Sequence, residues 1–142
     1  MSKIRILECS VKGDVRFSPQ FAKVKIFGSY DTIENHYLSC QKTVNNRRTP
    51  IGEEPHHLVI HFMYIDKKYL SSFLKIMWIK YLDEHPELIS VLKDYDMYTD
   101  MFDGVLTKDS QADILKNYIQ NGREYVLDEC LDFLKLMKYK KM

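Results

Sequence analysis

The sequence is poor in most of the residues that would take it away from an ordinary globular fold. Its 142 residues hold only four prolines and five glycines, too few for a low-complexity or collagen-like chain. Three cysteines, Cys9, Cys40 and Cys130, are an odd set without CxxC spacing, which argues against a disulfide framework or a structural zinc site and for reduced thiols. No apolar run approaches the roughly 20 residues needed to span a bilayer, and "MSKIRILEC" lacks the apolar stretch of a signal peptide. The expectation is a cytoplasmic protein with no membrane contact.

An excess of one charge is also missing. Twenty-one basic side chains against twenty acidic ones leave a formal charge of +1, so no overall field draws the chain to nucleic acid or anionic lipid. A polyanion would have to meet a local patch, for which the short runs "NNRR" (45–48) and "KYKK" (138–141) are the two candidates, although such runs are usually solvated surface. There is no GxSxG elbow, no cysteine in a pattern that marks a thiolate, and no glycine-rich phosphate loop.

What is present suits one core. A hydrophobic fraction of 45% with 13% aromatic residues, in a chain of this length, predicts a single domain over residues 1–142. In the first third the apolar residues alternate. Ile4 and Ile6, then Val24 and Ile26, read as the inward faces of two half-buried strands joined by a connection over residues 11–22. A third strand is expected in "HHLVIHFMY", with Leu58, Ile60 and Phe62 on one face and His57 and His61 on the other, roughly 13 Å apart and too far to share a metal. His56 and His57 should point to opposite sides.

After Asp66 the period becomes helical. Leu70, Phe73, Leu74, Met77, Trp78, Tyr81 and Leu82 form a complete amphipathic stripe. A second helix restarts at Pro86–Glu87. "YDMYTDMFDGVLTKDS" reads as a connection, "SQADILKNYIQNG" as a helix closed by Gly122, and "REYVLDECLDFLKLMKY" as a final helix. Strands first and helices later imply an α+β domain, with a small antiparallel or mixed sheet of about three or more strands packed by four to five helices.

Two polar segments are candidate sites. In "YDTIENHYLSCQK", Asp31 can cap a helix with Glu34 at its third position; Glu34, Tyr37 and Gln41 would share a face that meets either solvent or a pocket. In "SQAD", Ser110 and Asp113 have capping-box spacing, while Gln111 and the open amides of that helix start could instead receive an anion or carbonyl. Arg123 is either an ordinary surface ion pair or the fork that suits phosphate. No metal and no cofactor is expected.

The segment "FSPQFAKVKIFGSYDTIENHYLSCQK" resembles the opening of the NADAR superfamily, where an FSNF-type turn, an apolar strand and a T-x-E-H-Y-Y-Q-x-x-K helix start follow in that order. The likeness rests on Phe17, Ser18, Thr32, Glu34, Tyr37 and Lys42. "WIKYLDEHPEL" resembles the superfamily's K-F-x-x-N-P-x-L helix, and "SQADILKNYIQNGRE" looks like the ending of small phage and mobile-element proteins. The resemblance implies an N-glycosidase-like pocket for an ADP-ribosylated or modified guanine-like nucleotide, free or carried on nucleic acid. It makes Glu34 the key carboxylate and Asp113 its natural second, with Phe17, Ser18, Tyr37, Lys42, Gln111 and Arg123 as ligand contacts. The superfamily's C-terminal glycine-rich segments are missing. Their absence motivates an alternative, a non-catalytic phage-type protein that binds a nucleotide signal or blocks a host defence. In a third reading the chain is an interaction scaffold using the tyrosines of "DYDMYTDMF".

Overall fold

A computed structural model describes residues 3–100 and 110–138. Those residues form an α+β domain of three small sheets and six α-helices around one continuous core. In chain order the elements are β1 (Ile6–Glu8), β2 (Lys23–Ile26), β3 (Ser29–Thr32), α1 (Ile33–Ser39), β4 (Gln41–Lys42), β5 (His57–Ile60), β6 (Met63–Ile65), α2 (Leu70–Glu84), α3 (Glu87–Lys93), β7 (Met97–Thr99), α4 (Gln111–Asn121), α5 (Arg123–Glu129) and α6 (Leu131–Leu136). No helix among the described residues is long and apolar enough to cross a membrane.

The helical stripe of α2 sets the centre of the molecule. Phe73, Leu74, Met77, Trp78, Tyr81 and Leu82 are all buried as the spacing predicts, and Ile76 and Ile79 are buried as well. The helix is therefore enclosed on more than one side. It packs against α1, β2, α4 and α5. Pro86 immediately precedes α3, and Gly122, at φ +96°, closes α4 in a conformation that L side chains disfavour. The expected last helix is two, α5 and α6, broken at Cys130; this raises the helix count above the expected four to five.

The strands depart further from expectation. β1 pairs in parallel with β7, a segment expected to be a plain connection. Its inward residues are Leu7 and Cys9, while Ile4 and Ile6 face outward at 69% and 55% exposure. "KIRILEC" contains two period-two sets, and a slip of one residue exchanges them. The choice is made by β7: the amides of Asp96 and Met97 donate to the Arg5 carbonyl, and the Arg5 amide donates to the Asp96 carboxylate.

β2 and β3 form an antiparallel hairpin around Phe27–Gly28, and β5 and β6 another around His61–Phe62, with β4 added beside β5. All four turn residues have positive φ, the signature of the tight hairpin turns whose twist matches that of the strands. Three of them are not glycine, so each carries a strain of about 1–2 kcal/mol. His61 and Phe62 thus belong to a turn rather than to the strand, and Phe62 is 92% exposed instead of buried.

Candidate functional site

The segment that carries the resemblance folds as a unit. Asp14 caps the short 3-10 turn Val15–Phe17, and Phe17 and Ser18 are fully buried behind it. The Ser18 carbonyl accepts from the amides of Phe21 and Ala22, and its hydroxyl accepts from the Gln20 amide. This compact loop is the seat of α1: the Ile33 amide donates to the Ala22 carbonyl and the Glu34 amide to the Pro19 carbonyl, at 2.9 and 2.8 Å.

The cap of α1 is Thr32, not Asp31. The Thr32 hydroxyl accepts from the Asn35 amide at 3.1 Å. Asp31 instead accepts from the Asn35 side-chain amide and the Thr32 backbone, and these two bonds, the Asn35 one first, hold its carboxyl below the usual range. The shift by one residue moves Glu34 to the second helical position, one short of the place from which a capping-box side chain reaches back. Its half-buried carboxylate receives the Gln20 side-chain amide at 3.5 Å across the loop. Gln20 is the site residue that sequence reasoning passed over; the signal was the Ser18-x-Gln20 turn that aims it.

The rest of the expected face separates. Tyr37 is buried one turn further along α1, and its carbonyl accepts from the Gln41 side chain. The helix stops at Ser39, so Lys42 lies on β4 opposite His57 and not on a helical face with Glu34. Glu34 is thus joined to the Phe17–Gln20 loop at Pro19 and Gln20, while Tyr37 is buried and Lys42 lies outside the helix.

The α4 start answers differently. Ser110 is its cap, accepting from the Asp113 amide, as its spacing predicts. The Ser110 hydroxyl also donates to the Asp100 carboxylate at 2.7 Å, and the Ala112 amide points at the same oxygen. The protein's own Asp100 therefore stands where an anion would. Gln111 is 1% exposed and its side-chain carbonyl accepts the Trp78 indole N–H at 2.8 Å. Asp113 is exposed in the first turn of α4, about 12 Å of helix axis from its end, and Arg123 lies beyond that end as the first residue of α5.

Arg123 grips Asp83 on α2 with both arms of its fork, at 2.9 and 2.8 Å, and also reaches Glu124. The bonds it donates to Asp83, ahead of the one to Glu124, push its pKa further up. A cavity of about 370 Å³ opens beside it, bounded by Ile76, Ile79, Leu127 and Met137. A second, of about 270 Å³, lies between α1 and the two hairpin tips. Glu34 lines neither.

The remaining reactive groups are accounted for by packing. All three cysteines are buried, and burial pushes the Cys40 thiol up to about 12 and the Cys130 thiol upward, which keeps both protonated. His56 and His57 meet nitrogen to nitrogen at 2.9 Å instead of diverging, with His57 stacked on Tyr64 and bonded to the Asn46 side-chain carbonyl. No group of three metal-ligating side chains occurs among the described residues. In the tyrosine-rich segment, Tyr98 donates to the Leu92 carbonyl and Arg5 covers the Tyr95 ring; Met101 and Phe102 lie outside the described residues. Compared with protein-family models, with curated proteins and with solved structures, the chain finds no match in any of the three.

Proposed function

We propose that this is an N-glycosidase-like pocket protein for an ADP-ribosylated or modified guanine-like nucleotide, with Glu34 as its key carboxylate. One observation carries the reading. Glu34 is set at the second position of α1 against the Phe17–Gln20 loop, while Thr32 does the capping. In support of the reading, Phe17 and Ser18 lie in the loop that the Glu34 amide and side chain join, and Thr32 takes the capping position beside them.

Cleavage of an N-glycosidic bond develops positive charge on the sugar, spread over C1′ and the ring oxygen. A carboxylate beside that face stabilises the charge and orients the attacking water. Gln20 would fix the carboxylate's orientation through Oε1. Asp113 and Arg123 are not needed for this step: the former is exposed at the far end of α4 from the latter, which is engaged with Asp83.

That separation favours a second reading, binding without turnover. Glycosidic hydrolysis ordinarily uses two carboxylates, and the expected partner, Asp113, sits in a helix start that is satisfied by Ser110 and Asp100. Incubation with ADP-ribosylated DNA and a panel of ribosylated bases separates the two. Product released by the wild type and lost in Glu34→Gln supports hydrolysis; equal turnover by both overturns the role of Glu34. A melting temperature raised by ADP-ribose without product supports binding alone.

A further inference from the structure

The opposite face of α1 borders a second site. Counting roughly 100° per residue, His36, Ser39 and Cys40 lie about 140–240° around the helix from Glu34, and all three line the 270 Å³ cavity with Phe27, Ser29 and His61. The two hairpin tips meet over it. The Phe27 and His61 rings stack at 4.3 Å with an interplanar angle of 18°, and both residues are held at positive φ, 48° and 50°. Two strained turns that join through a ring stack at the rim of a cavity are the kind of feature that accompanies a binding function.

The polar groups specify what fits. His36 Nε2 lies 3.0 Å from the Val24 carbonyl, which only accepts, so Nε2 carries the hydrogen. In the neutral ring Nδ1 is then an acceptor. The Ser39 hydroxyl donates to the Asn35 carbonyl and keeps only lone pairs for a guest. The Cys40 thiol donates to the Tyr37 carbonyl. The cavity thus offers acceptors, one adaptable hydroxyl at Ser29, and an aromatic wall. Its volume is just under the roughly 300–1,000 Å³ of sites for drug-sized ligands, which suits a single heterocycle.

We infer that the cavity between α1 and the two hairpin tips binds a planar, amino-substituted heterocycle, its ring against Phe27 and His61 and its amine donating to His36 and Ser39. The site is separate from the one proposed at Glu34 and stands or falls without it.

Titration of the full chain with adenine, followed by amide chemical shifts, tests this, with purine as the probe lacking the amine. Saturable adenine shifts at Ser29, His36, Ser39 and His61 are expected, with purine about thirtyfold weaker for the loss of two hydrogen bonds. His61→Gly suits the positive φ of the turn and removes the ring; it should keep the fold's spectrum and weaken adenine about three- to tenfold. Glu34→Gln should leave adenine binding unchanged. No saturation at millimolar adenine, equal affinity for purine, or shifts centred on Ser18, Gln20 and Glu34 would each overturn the assignment.

Discussion

The starts of α1 and α4 use the same local chemistry and reach different ends. Both open with a hydroxyl cap that accepts from the third helical amide, Thr32 from Asn35 and Ser110 from Asp113. At α4 the surrounding polar groups are consumed inside the fold, Asp100 on the cap and Gln111 on Trp78. At α1 the acidic residue beyond the cap is turned across a loop toward Gln20 and stays half-buried. A capping motif therefore says where a helix begins, and only the neighbouring elements decide which partners its carboxylate meets.

The largest effect expected from this contrast is at α4. Gln111→Ala leaves the buried Trp78 N–H without its partner and should cost about 2–3 kcal/mol, read from the urea midpoint. Ser110→Ala and Thr32→Ala should each cost about 1 kcal/mol, since the two caps are alike; a difference of more than about 1 kcal/mol between them would break the equivalence of the two helix starts. Glu34→Gln should change stability by no more than about 0.5 kcal/mol while abolishing turnover or ligand binding, which would mark the carboxylate as functional and not structural. Arg123→Ala, which removes an exposed ion pair, should cost about 0.5–1 kcal/mol and leave the Glu34 site intact.

A pH effect sharpens the account of α1 from its other side. The Cys40 thiol titrates at 9.0 when unfolded and is held up to about 12 by burial. The folded chain therefore keeps a proton that the unfolded chain releases, and stability falls as pH rises from 9.0 toward about 12. Tyr81, pushed up from 10.0 to about 12 by burial, adds to the same decline. Cys40→Ala should make the loss of stability shallower in thermal melts over that window.

How much of this was legible in the sequence depends on length scale. The fifteen residues of α2 carry several turns of one period, so its buried stripe was readable position by position. β1, β4, β6 and β7 are two or three residues long, too short to show a period, and their pairing is decided by distant partners such as Arg5 and Asp96. The Ser110 cap was legible from its spacing to Asp113, whose amide it receives. At α1, Asp31 and Thr32 are both good caps, and the choice fell to Thr32 because β3 runs to that residue. That single-residue choice hid the position of Glu34. Lys42 ends the helix motif of the resemblance, whereas the chain leaves the helix after Ser39 and turns into β4 to pair Lys42 with His57. Nothing local in the sequence announces that Arg123 will find Asp83, forty residues away.

The most direct test of the central claim is calorimetric titration of ADP-ribose into the wild type, Glu34→Gln and Arg123→Ala. The account predicts saturable binding to the wild type, a loss of at least about tenfold in Glu34→Gln, and no more than about twofold change in Arg123→Ala. Undiminished affinity in Glu34→Gln, with or without a loss in Arg123→Ala, would contradict it.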